Sequence, residues 1–394
     1  MAERFVKGFA ALVVTIVFLA GLCNFVDQMH HADNKGFWLD ERYSLKNTVQ
    51  AHTYMGLLAK GAALTEFSPA PLDYLFVKML DDIKPAVHSF GTSDKVYYRL
   101  WANVVMVFSG LVVVWLLAGD IVRSPVSGQV RIFQLLLLLF LPLIYLYRPM
   151  TYHYAAEVRP YSLWFALWFI TIAACSLSRI SKFFLALCLS LLAMTMSGSV
   201  FQILSVAMAY LSVQWLRNGW KQALKDALQV SIVPLVLVVF YAYPAQYGHM
   251  SDEPRAHAWQ RFYELWGHDL FIIPMLLVAI VSLSFSKRTQ PMITGPLAVL
   301  IVFLMGPAIF TLTLDRGYFF TERQYIYYDV HRAVFWLAFI NFLPFYLEKI
   351  KDDRKQFLAM ALVFALWMPA VFSKKTIFYI RTVADHTRSV IFKP

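Results

Sequence analysis

The sequence predicts an all-α polytopic membrane protein of about eleven transmembrane helices, with amphipathic interfacial helices in its first external loop. Three observations carry this. Of the 394 residues, 59% are hydrophobic and only 15% charged, against about 25% charged in soluble domains, and the mean hydropathy is +0.57. Long apolar runs recur from one end of the chain to the other. Basic residues gather in the short connections between alternate runs, the bias that marks a cytoplasmic face.

The first run, at about 9–26, reads as a span and not as a cleaved leader, because Cys23-Asn24-Phe25-Val26-Asp27 lacks a small-residue cleavage pattern. A polar stretch over about 27–100 follows. Further spans are expected at about 101–119, 132–147, 160–178, 183–197, 199–216, 227–247, 269–286, 291–314, 333–347 and 356–372. A basic tail over 373–394 closes the chain, and 1–394 reads as one transmembrane domain without internal repeats.

Charge orients this map. Arg4, Lys7, Arg123, Arg131, Arg179, Lys182, Arg217, Lys221, Lys225, Lys287, Arg288, Lys349, Lys351, Arg354 and Lys355 all fall in one set of short connections. That set is expected to face the cytoplasm. The N-terminus is then inside, and the first loop and the C-terminal tail are external, which in a bacterium means an inner-membrane protein facing the periplasm. The same bias accounts for the net charge of +11, so no nucleic-acid partner is expected. The three cysteines lie in apolar runs and read as small buried hydrophobes, not as a disulfide framework.

Within the first loop, Tyr43–Lys60 and Asp73–Ile83 carry apolar residues at helical spacing. In the second, Leu72, Leu75, Phe76, Met79 and Leu80 share one face, and Ser68-Pro69-Ala70-Pro71 is a helix-start signal. Both segments are expected to lie in the interface plane, most simply as a lid packed on the span ends. Ahead of them stands Gly36–Tyr43, GFWLDERY, with the acids Asp40 and Glu41 followed by Arg42 and Tyr43. Charge at a membrane edge is costly unless solvated, paired or used. Two readings stand here: a solvated loop end with a local salt bridge, or a catalytic loop.

From these residues onward the chain resembles a family. A first span, an external Asp40-Glu41 pair, and two interfacial helices opening on Pro71-Leu72-Asp73-Tyr74 look like the GT-C superfold, and more closely like the protein O-mannosyltransferases and the aminoarabinose transferases of lipid A. Val96–Val113, with Arg99-Leu100, resembles the family's second-span start. His153–Leu163, HYAAEVRPYSL, is similar to its Glu-x-Arg-Pro-Tyr stretch, and Phe320–Val334 to a late aromatic loop. The chain departs from the family in that Arg42-Tyr43 follows the acids directly.

The resemblance implies a glycosyltransferase that moves a sugar from a polyprenyl-phosphate donor to a lipid, glycan or protein acceptor on the external face, with inversion. A phosphate leaving group needs little acid catalysis, so one base suffices, unlike the two carboxylates of glycosidases. Asp40 is the candidate base, and Glu41 would orient its partners or hold the acceptor. Arg42, Tyr43 and Arg159 are the candidates for the donor phosphate, since arginine offers a fixed fork of five donors. Arg159 also has the spacing to pair with Glu157. His153, Arg99 and Arg323 are weaker candidates, and Arg323 and Arg332 suit snorkelling at span ends. Asp81-Asp82 and Asp252-Glu253 are rival acid pairs in polar loops. No His/Cys cluster has metal-ligand spacing and the first loop has no Asp-x-Asp, so no cofactor is expected. The rivals are a non-catalytic subunit with a transferase-like fold, a lipid-linked glycan flippase, which would show mid-membrane charge and repeats, and a lipid-linked glycan ligase, whose large external loop usually falls late.

Overall fold

The computed structural model describes residues 2–37, 39–59, 71–87, 93–146, 157–159, 161–177, 181–196, 199–242, 293–294, 297, 300, 326–371 and 374–391. These are helical almost throughout, and no strand occurs among them. In order the helices are α1 (Ala2–Asn34), α2 (Leu39–Tyr43), α3 (Tyr54–Leu58), α4 (Leu72–Val87), α5 (Asp94–Arg123), α6 (Gly128–Leu139), α7 (Leu141–Tyr145), α8 (Tyr161–Ser176), α9 (Lys182–Ala193), α10 (Ser199–Asn218), α11 (Trp220–Ala242), α12 (Ile326–Leu347), α13 (Asp353–Val371) and α14 (Lys374–Ile391).

The described residues are all-α and are consistent with a membrane protein. Among the described residues, α1, α5, α10 and α11 are long and apolar enough to cross a bilayer, while the apolar helices around α6, α8 and α9 are shorter. A helix of 16 residues such as α8 rises only about 24 Å, short of a hydrocarbon core of about 30 Å. The count of eleven full spans is therefore not reproduced. The expected span at 269–286 lies outside the described residues, as does most of 291–314.

Helix α8 is the centre of the bundle. It is apolar all round, so it must be surrounded, and Trp164 and Trp168 are fully buried. Helices α1 and α5 pack as an antiparallel pair, and α5 packs along α8. At Gly21 they approach so closely that a Cβ would stand 3.0 Å from Val107 Cγ1. The outward faces expose large apolar residues: Leu12, Ile16 and Leu19 on α1, Phe108 and Trp115 on α5, Val236 and Val239 on α11, Phe357 and Leu358 on α13. Apolar surface this extensive is foreign to a monomer in water and suits lipid.

The helix ends sort into two groups. At one end Ser127 N donates to Glu348 (2.8 Å), Lys182 pairs with Asp226, and Gly219, at φ 76°, makes the turn from α10 to α11. Only glycine adopts that backbone without strain. At the other end the first loop forms a layer over the bundle. Leu72 N donates to Met194 O at the end of α9 (2.9 Å), and Tyr241 Oη, at the end of α11, donates to Leu58 O (3.3 Å).

Two expectations for this layer need correction. The polar residues after 26 continue α1 for two more turns, because Asn24, Asp27 and Gln28 turn inward and are buried. The single helix expected over Tyr43–Lys60 is broken: α2 runs into a π-helical turn, Ser44–Val49, and α3 starts afresh. The break lies at Thr53, whose extended backbone and Oγ1, accepting from Gly56 N at 3.1 Å, make it an N-cap. Helix α4 forms as the periodicity predicts, and the tail forms α14, packed on α1.

Candidate functional site

The layer is pinned to the bundle by one buried ion pair. Arg99, in the first turns of α5, is 1% exposed and Glu41, on α2, 0%. Arg99 Nε donates to Glu41 Oε1 (3.0 Å) and Nη2 to Oε2 (2.7 Å), a forked pair. Nη1 donates to Ala32 O (3.0 Å) and Lys35 O (2.8 Å), and Nη2 also to Gly36 O (3.0 Å). The end of a helix leaves carbonyls without intrahelical donors and carries partial negative charge. One guanidinium therefore serves the end of α1 and the acid of α2 together, with Phe37 over its face at 5.2 Å. All five N–H donors of Arg99 are committed, so it has none left for a phosphate, and the role suggested for it by sequence is corrected to a structural one.

Glu41 also binds the segment Glu157–Arg159, since its Oε1 accepts from Val158 N at 3.0 Å. The residues on either side of Val158 reach back to the first loop. Glu157, 2% exposed, takes Lys35 Nζ at 3.0 Å. Arg159, 8% exposed, donates from Nη1 to Ser44 Oγ at 3.0 Å. The expected alternative for Arg159, an ion pair with Glu157, gives way to this arrangement, in which Glu157 holds Lys35 and Arg159 reaches Ser44. Two segments more than a hundred residues apart in sequence thus form one polar cluster.

The structure adds a member that sequence reasoning passed over. Asp73, in the first turn of α4, is 3% exposed and its Oδ2 accepts no hydrogen bond. Burial raises its carboxyl to about 7, and the Arg159 charge partly opposes that shift. An acid in the first turn of a helix reads in sequence as a partner for the helix dipole, which is why it drew no notice.

Asp40 lies on α2 beside Glu41 and one turn before Ser44. Its backbone therefore belongs to the segment that Arg159 binds, while its side chain lies outside the described part. Arg42 is exposed and Tyr43 is 42% exposed on the surface of the layer. His153 and Arg323 lie outside the described residues, as do Asp252-Glu253 and the side chain of Arg332. The rival pair Asp81-Asp82 fastens the layer. Asp81 accepts from Tyr98 Oη and from Gln50 Nε2 (3.2 Å), and Asp82 from Tyr54 Oη (2.7 Å). Among the described residues no three His, Cys, Asp or Glu side chains are grouped to hold a metal ion.

No family model matches the chain, and neither a curated protein nor a solved structure is matched by it.

Proposed function

We propose that this chain is a membrane glycosyltransferase of GT-C type that moves a sugar from a polyprenyl-phosphate donor to an acceptor on the external face. The observation that carries the proposal is the buried Arg159, which Ser44 holds against the α2 segment bearing Asp40. A cation that does not deprotonate, bound to Ser44 four residues along the chain from Asp40, suits displacement at a glycosyl phosphate. The acceptor hydroxyl attacks the anomeric carbon and gives its proton to Asp40. The bond from that carbon to the phosphate oxygen breaks, and polyprenyl phosphate leaves with its charge stabilised by Arg159. Glu41, spent on Arg99 and Val158, positions the Asp40 segment. The complete engagement of Arg99 and Glu41 is what favours the second reading, a non-catalytic subunit that keeps the fold.

Reconstituted protein given a panel of polyprenyl-phosphate sugars should release polyprenyl phosphate. Arg159→Lys keeps the charge but loses the fork, and should weaken donor binding by roughly 10- to 100-fold, the worth of one or two charge-assisted hydrogen bonds. Glu157→Gln should leave donor binding intact and cost stability instead. If neither wild type nor any donor gives product, the non-catalytic reading takes over.

In this reading the layer faces the periplasm of a bacterial inner membrane. Cysteine labelling with a membrane-impermeant reagent should reach Lys35→Cys and Ser93→Cys only from outside, and Lys351→Cys only from inside. The reverse pattern would invert the topology.

A further inference from the structure

We propose that the corner joining α10 to α11 is a binding site for the headgroup of an anionic phospholipid. Lys221 and Lys225 hold the phosphate, and Trp215 and Trp220 lie against the upper ends of the acyl chains. Such a site requires only that the helices stand in a bilayer, and it stands or falls separately from the glycosyltransferase reading.

Gly219 folds the corner tightly. Its N–H donates to Trp215 O (3.1 Å) and its carbonyl accepts from Ala223 N (3.1 Å), so the end of α10 and the start of α11 are one hydrogen-bonded unit. Every residue from Trp215 to Gln222 is exposed, Trp215 at 62% and Trp220 at 57%. Neither indole N–H has a partner among the described residues. Large rings with a polar edge are favoured where a bilayer passes from hydrocarbon to headgroup.

The apolar surface leading to the corner shows which way it faces. Leu204, Met208 and Trp215 are exposed along one stripe of α10, and Leu228, Ile232, Val236 and Val239 along one stripe of α11. Followed back towards Gly219, the second stripe runs into Lys225 and Lys221, both exposed. A lysine at the end of a lipid-facing stripe lays its methylenes along the acyl chains and lifts its ammonium to the phosphates.

Elsewhere at this end of the bundle the basic residues have local partners. Lys7 pairs with Glu3 (3.1 Å), and Arg131 Nη1 donates to Val122 O (2.8 Å). Lys349, Lys351, Arg354 and Lys355 stand among Glu348, Asp352 and Asp353. From Arg217 to Lys225 the sequence has no acid. The next residue, Asp226, is 3% exposed and already takes Lys182 and Gln222 Nε2 (2.8 Å). Lys221 and Lys225 make neither an ion pair nor a hydrogen bond among the described residues.

Helix α11 itself does not call for them. The first turns of a helix carry partial positive charge and favour acids, so two lysines there add like charge to like. Arg217, in the last turn of α10, suits its own helix end. An anion from outside the chain relieves the repulsion, and acidic phospholipids supply one at the membrane surface. Lys221 and Lys225 are one turn apart, about 6 Å between Cβ atoms, so one phosphodiester can meet both. A soluble acidic partner would satisfy the lysines but leave the rings and the apolar stripe uncovered.

Native mass spectrometry of the full chain, released from micelles holding equal amounts of phosphatidylglycerol and phosphatidylcholine, reads which lipid stays bound. Wild type should keep phosphatidylglycerol in preference. Lys221→Gln and Lys225→Gln should each lower that preference by roughly fivefold, the worth of one basic residue near an anionic surface. Lys351→Gln with Lys355→Gln removes as much charge from the same end and should leave the preference as it is. Phosphatidylglycerol brominated high on its acyl chains should quench the part of the fluorescence that Trp215→Phe with Trp220→Phe removes. Equal loss of preference in both pairs of lysine variants would mean diffuse attraction to net charge and overturns the site. So does a wild type that retains both lipids alike, or a corner fluorescence that the bromolipid leaves untouched. A changed oligomeric mass in Lys221→Gln with Lys225→Gln, at unaltered lipid retention, gives the surface to a second copy of the chain and overturns it as well.

Discussion

Glu41→Gln should unfold the external layer, not merely slow a reaction. The substitution leaves the Arg99 guanidinium buried at 1% exposure without its counter-charge. Breaking a buried ion pair from one side costs about 3–5 kcal/mol, a large part of the 5–15 kcal/mol that holds a typical domain together. Thermal unfolding in detergent should show a clear drop in Tm. The carbonyls of Ala32, Lys35 and Gly36, which Arg99 also serves, would lose their partner with it. The double variant Glu41→Leu with Arg99→Met removes both charges and should recover part of the loss. Wild-type stability in Glu41→Gln, with activity gone, would instead make Glu41 a catalytic acid and defeat the positioning role.

The neighbouring acid should behave in the opposite way. Asp40→Asn should leave Tm nearly unchanged and reduce turnover of a polyprenyl-phosphate sugar by about 10²–10⁴, the usual worth of a general base. Asp40 and Glu41 are adjacent in sequence, so a difference of this kind cannot come from disturbing α2 as a whole. Wild-type turnover in Asp40→Asn would remove it as the base. Equal loss of stability in both variants would mean that the acid pair is structural throughout, which is the non-catalytic reading.

How far the sequence could be read depended on whether the cause was local. Helix α4 was legible because its apolar face repeats within a few residues, as was the coarse class, because lipid-facing and core-facing residues are both apolar. The same fact hid the span count: α8 and α9 are as apolar as longer helices, although α8 is buried between neighbours and α9 has only 12 residues. The break at Thr53 depends on a single N-cap that the apolar spacing runs straight across. In the site, Asp40, Glu41 and the Glu157–Arg159 stretch stood out by position. What each one binds did not, since Glu41 finds Arg99 58 residues away and Val158 at 117. Asp73 was invisible because its significance is the burial that the fold imposes on it.

The length of α1 carries the Arg99 contact clear of the apolar part of the helix. Its 33 residues rise about 50 Å, against a hydrocarbon core of about 30 Å. Asp27, the first charged residue beyond its apolar run, is turned inward and buried. From there to Ala32, whose carbonyl Arg99 holds, is about 7 Å of helix, the thickness of one headgroup layer. The helix thus exceeds the hydrocarbon core by about 20 Å, and the Arg99 contact lies on the part of it beyond its apolar run. On the function proposed above, a phosphate carried on a membrane-anchored chain would come to the layer that Arg99 pins without leaving its own leaflet, and a water-soluble acceptor would meet it from above.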